Sequence, residues 1–232
     1  MVGLEIFYDI HAPDDWSSGR IRTVLSKVRD FALGLGFARV GKVEPDDPDC
    51  PKSICLKRCP KQYPYLAVDA ESGWFFRTWP GEGCETAFFG LCRFPARIVK
   101  DGLSIGTGYG NGWHYHTWCK TQYADVVSRA HFLKCHLGVI RILDCLKRSG
   151  LAVNVRDGGD YWKSRKLERL IKRLEKMHCV VAAVTGAFKD AADDLPGAVV
   201  APITALKNFE RLEATGVEIM RRKRAKNRRR TA

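Results

Sequence analysis

Apolar residues recur along this chain at two periods, and the changes of period mark its elements. Residues 2–10, VGLEIFYDI, are β-branched, aromatic and partly alternating, which predicts a strand. Ser17 and Ser18 then offer N-caps. Ile21, Val24, Leu25, Val28, Phe31, Ala32 and Leu35 follow at helical spacing until Gly34 and Gly36 stop the run. Residues 37–43 return to strand character, so the chain opens as a β-α-β unit. Residues 44–64 hold five prolines and three cysteines with neither period, and read as an irregular surface excursion. Residues 65–69, 73–79, 84–94 and 103–118 are four strand candidates divided by the turn signals ESG, PGEG and KDG.

Helical spacing returns over 124–147, where Phe132, Leu133, Leu137, Ile140, Leu143 and Leu146 share one side. Gly150 closes it. A short strand at 151–155 and a DGGD turn at 157–160 lead to Ser164, placed to cap a second long helix reaching about 193. The first half of that helix is basic on its polar face, and 202–220 predicts a short final helix or turn. The sum is an α+β fold with a mainly antiparallel sheet, opened by the β-α-β unit, and two long helices packed on one face. One domain over 1–220 with a disordered basic tail at 221–232 is the expected organisation.

Charge alters this picture at one end only. The net charge is +13, yet residues 1–220 carry only +5, because Arg221, Arg222, Lys223, Arg224, Lys226, Arg228, Arg229 and Arg230 fall in the last twelve positions without an acid. Such a block cannot enter a core, and a phosphate-dense partner gains counterion release on meeting it, so nucleic acid or another anionic macromolecule is the partner class implied. The start has no basic leader followed by an apolar stretch, and no apolar run approaches the roughly 20 residues that cross a bilayer. A soluble, cytoplasmic protein without membrane insertion is expected, and nine cysteines, an odd number, then read as reduced thiols.

Candidate chemistry concentrates in residues 103–123, LSIGTGYGNGWHYHTWCKTQY. Gly106, Gly108, Gly110 and Gly112 match no phosphate-loop spacing and read as room for neighbouring aromatic rings. Strand alternation sets His114 and His116 on one face and Trp113 and Tyr115 on the other. His131 and Cys135 are four apart on a helix, so His114, His116, His131 and Cys135 compose a candidate zinc site if strand and helix meet. Cys119, with His116 as its base, is the candidate catalytic pair. Cys50, Cys55 and Cys59 offer three soft ligands at a spacing typical of neither zinc ribbons nor ferredoxins. The paired acids Glu82/Glu85 and Asp157/Asp160 read as turn residues that accept local backbone N–H groups.

The segments PGEGCETAFFGLCRFP (80–95), WCKTQYA (118–124) and HFLKCHLGVIRILD (131–144) resemble a family of uncharacterised bacterial proteins. The resemblance covers most of 1–215, excludes the tail and implies no activity. Two functions follow from the residues themselves. The first is a binding or interaction protein whose sheet and aromatics form a recognition surface anchored by the basic tail, its partner a nucleic acid or another protein. The alternative is a thiol- or metal-dependent enzyme centred on the His/Cys cluster.

Overall fold

The computed structural model describes residues 4–45, 49–56, 65–110, 112–191 and 201–231, except the side chains of Arg224 and 226–231. Alternation in EIFYDIHA gives β1 (Glu5–Ala12) one buried row, Ile6, Tyr8, Ile10 and Ala12, and one unburied row, Glu5, Phe7, Asp9 and His11. Ser17 then caps α1 (Ser18–Leu33) by accepting the Arg20 N–H, and Ile21, Leu25, Val28 and Ala32 form its buried stripe. Next come β2 (Arg39–Val40), β3 (Ser53–Cys55), β4 (Ala67–Asp69), β5 (Ser72–Trp79), β6 (Ala87–Arg93), β7 (Arg97–Lys100), β8 (Leu103–Gly106) and β9 (Trp113–Lys120). The chain ends with α2 (Ala124–Val127), α3 (Arg129–Arg148), β10 (Ala152–Asp157), α4 (Tyr161–Ser164), α5 (Leu167–Ala191), a 3-10 turn (Pro202–Ala205) and α6 (Phe209–Thr231).

The architecture is α+β. Six strands form one sheet in the order β10-β1-β9-β6-β5-β2, every neighbouring pair antiparallel, while β3-β4 and β7-β8 are separate two-stranded hairpins. α1 carries the chain from β1 to the far edge at β2, which shrinks the strand expected over 37–43 to two residues. α1 and α3 cover one face, with Val139, Ile140, Ile142, Leu143 and Leu146 of α3 in the same core as Tyr8, Phe89 and Leu91. α5 takes part in a second cluster through Leu170, Leu174 and Met177, against Phe132 and Cys135 of α3 and Leu4 ahead of β1. On each of these helices the apolar stripe is what chooses the neighbour.

Three further elements differ from expectation for identifiable reasons. The strand expected over 103–118 is cut between β8 and β9, because Gly108 (φ 76°) and Gly112 (φ 78°) adopt left-handed backbone and Gly110 packs against Ala96, where a Cβ would overlap. These glycines turn a loop rather than make room for rings. The helix expected over 124–147 is interrupted at Ser128, whose hydroxyl accepts the His131 N–H and restarts it as α3. The backbone of the basic segment is helical as part of α6 to Thr231, in keeping with the helix preference of Arg, Lys and Ala and with the docking of the preceding turns on α5.

Candidate functional site

With the helices on the other side, β10, β1 and β9 present an open face. Register fixes its rows: Arg156, Phe7 and Trp118 lie side by side, then Asn154, Asp9 and His116, then Ala152, His11 and His114. Trp118 is 44% exposed, its ring centroid 6.3 Å from that of half-buried Phe7. The Arg156 guanidinium sits 4.4 Å from the Phe7 ring centre, so the row is one continuous platform of π surface and cation. At its margin Lys120 lies 3.4 Å from Glu85 and 3.6 Å from Glu5. Glu85 first, and then Glu5, raise the affinity of that ammonium for its proton.

The polar rows hold the imidazoles. His116 Nδ1 is 2.6 Å from Asp9 Oδ1, and His114 Nδ1 is 2.6 Å from His11 Nδ1. In the second pair one nitrogen donates and the other accepts, so the two rings take complementary roles across adjacent strands. The His11 and His114 rings meet edge to face at 4.6 Å, and Tyr109, in the loop before β9, sets its edge against His114 at 5.4 Å. Asp9, His11, Phe7 and Arg156 were not singled out by the sequence. The signal that could have found them is the EIFYDIHA alternation, whose unburied residues become neighbours of His114 and His116 once β1 is paired with β9.

The structure divides the other sequence candidates. His114 and His116 share the open face, with Trp113 and Tyr115 buried behind it as alternation predicts. Cys119 falls on the buried side at 0% exposure, its thiol directed at the Glu85 carbonyl 3.4 Å away, so it does not meet His116. Burial above all, with Glu85 and Cys135 adding to it, pushes its pKa up and suppresses the thiolate that a nucleophile requires. His131 and Cys135 belong to a different place. The His131 imidazole lies 3.7 Å from Cys135 Sγ and 3.0 Å from the Glu82 carbonyl, and the Cys84 thiol hydrogen-bonds to Cys135. That hydrogen bond lowers the Cys135 pKa. Cys84 lines a hollow of about 340 Å³ with Glu85, Lys120 and Tyr123.

The four-ligand zinc site is therefore not assembled, and among the described residues no three His, Cys, Asp or Glu side chains are arranged to hold a metal ion. Cys50 is buried and bonded to the Tyr115 hydroxyl at 2.9 Å, Cys55 is exposed, and Cys59 lies outside the described residues. Of the tail cations, Arg221, Arg222 and Lys223 are exposed on α6; the side chains of Arg224, Lys226, Arg228, Arg229 and Arg230 lie outside the described set. No described helix is long and apolar enough to cross a membrane. Compared with known proteins, the chain matches no family model, no curated protein and no solved structure.

Proposed function

We propose that the protein binds single-stranded nucleic acid on the open face of β10, β1 and β9. The observation that carries this reading is the Arg156–Phe7–Trp118 row: a large exposed indole beside a second ring, flanked by a guanidinium, on the helix-free side of an antiparallel sheet. Every base has a π face, so such a platform takes unpaired bases without regard to sequence, whereas paired bases keep their faces stacked on one another. The next row adds hydrogen-bonding groups, Asn154, Asp9 and His116, at the level where base edges would lie. The charge of the chain supports a polyanionic ligand.

Fluorescence anisotropy with a labelled oligo(dT) strand tests this. Base stacking contributes roughly 1–3 kcal/mol per base, so Trp118→Ala and Phe7→Ala should each weaken binding about tenfold or more, and duplex of the same length should bind less tightly. Equal affinity of wild type and both variants would remove the sheet from the interface.

A second reading draws on the imidazoles. A His116–Asp9 pair and a His11–His114 pair on one solvent-facing surface are groups able to take a proton from an attacking hydroxyl and give one to a leaving oxygen, the work that phosphodiester cleavage requires. Cys119 has no part in it, since its thiol faces the core. Incubation of an end-labelled strand with wild type should then yield shorter products that His116→Ala suppresses by 10²-fold or more, the usual scale of general acid–base contributions. An intact strand after prolonged incubation would leave binding as the whole activity.

A further inference from the structure

The first half of α5 carries a row of cations that the open sheet face does not use. Arg169, Lys172, Arg173 and Lys176 are exposed at positions that share one side of the helix, and with Asp160 they line a hollow of about 320 Å³. Asp160 holds Arg169 at 3.2 Å, while Lys172, Arg173 and Lys176 have no carboxylate partner among the described residues. Core packing explains Leu170, Leu174 and Met177 on the neighbouring, buried side of the helix. It does not explain the basic side.

The partner helix brings more of the same charge. Lys189 lies over the Phe209 ring, Gly186 meets Glu213, and Gly216 packs against the Cys179 carbonyl, so α5 and α6 run antiparallel. Continuing that register by about two turns brings Arg221, Arg222 and Lys223 level with Lys176 and Arg173. Glu218 engages Arg222 at 2.6 Å, the one ion pair that those three cations make among the described residues. Two cationic helical stretches converging on one end of a helix pair repel one another in water, and a ligand with closely spaced negative charges turns that repulsion into attraction.

We propose that this basic α5–α6 surface binds the sugar–phosphate backbone of the nucleic acid, as a second contact separate from the base-stacking sheet. It rests on the nucleic-acid reading for the identity of the ligand. Phosphate contacts supply affinity and salt dependence without reading sequence, and stacking supplies affinity with little salt dependence, so the two surfaces leave different signatures.

The test is a salt titration of fluorescein-labelled oligo(dT) binding to the full chain, for wild type, for a K172Q/R173Q/K176Q variant and for Trp118→Ala. Each phosphate contact on a single strand contributes about 0.7 to the slope of log affinity against log salt, so losing three should flatten the slope by about 2 and weaken low-salt binding tenfold or more. The substituted side chains are exposed, so an unchanged thermal midpoint confirms that the variant is folded. Trp118→Ala should lower affinity and keep the wild-type slope. A triple variant with wild-type slope and affinity overturns the basic surface, even if Trp118→Ala weakens binding and the sheet reading stands. The reverse pattern, a flattened slope with Trp118→Ala silent, keeps the basic surface and removes the sheet. Wild type that binds vesicles of anionic phospholipid and no oligonucleotide overturns both.

Discussion

Asp157 shows how one side chain joins sheet, turn and helix. Its carboxylate accepts the Gly159 N–H at 2.6 Å, the Tyr161 N–H at 2.7 Å and the Trp162 N–H at 2.9 Å, and the buried His136 imidazole stands 3.4 Å away. Burial opposes its charge, but His136 and these backbone donors outweigh burial and hold the carboxyl below its usual range. A depressed folded-state pKa gives stability that is fully present above the unfolded value, near 3.9, and is lost as pH falls through the folded one. Asp157→Asn should therefore cost about 1–3 kcal/mol at neutral pH and flatten the acid limb of stability against pH, measured by denaturant midpoints from pH 7 to pH 3. The DGGD turn and its role as a local acceptor were legible in the sequence. The pairing of Cys119 with His116 was misread there because the strand was taken to end at residue 118. β9 runs to Lys120, and residues three apart on one strand point to opposite faces.

Among the elements, α6 shows what composition reveals and what it hides. Residues 221–232 announce their charge, but nothing local says that the backbone stays helical, because that depends on the preceding turns finding α5. The contact is close. A Cβ on Gly216 would overlap the Cys179 carbonyl, which is backbone and cannot rotate away. Gly216→Leu should push the helices apart, lower stability by roughly 1–3 kcal/mol, and expose α6 to limited proteolysis while leaving α1 and the sheet protected, as hydrogen exchange would show. Cleavage no faster than in wild type would mean that α6 does not depend on this contact. The opening strand and helix were readable because β-branched and aromatic residues mark the first and apolar residues at helical spacing mark the second. The loop between β8 and β9 was not, since glycine alternation fits a strand as well as it fits two residues of positive φ.

At the scale of the whole molecule, one side of the sheet is closed by α1 and α3, and over β10, β1 and β9 the other is left to solvent with aromatic, cationic and imidazole groups on it. The antiparallel α+β class was legible from short strand connections and turn signals; the neighbours of β9 were not, because the β1–β9 and β1–β10 pairings join residues more than a hundred positions apart. Those pairings create the site. Charge operates over the same scale, so deletion of 221–232 should reduce the salt slope of oligonucleotide binding by several units while retaining sensitivity to Trp118→Ala, as anisotropy at 50 and 200 mM salt would measure.

The most direct measurement is photocrosslinking of a 5-bromouridine-substituted single strand to the full chain, followed by mass spectrometry of the attached peptides. Crosslinks should fall on Trp118 and Phe7, with weaker attachment along α5. Crosslinks confined to the basic residues of α5 and α6, with the peptides of β1 and β9 unmodified, would contradict the account, since the strand would then be held by charge alone and the open face would have another purpose.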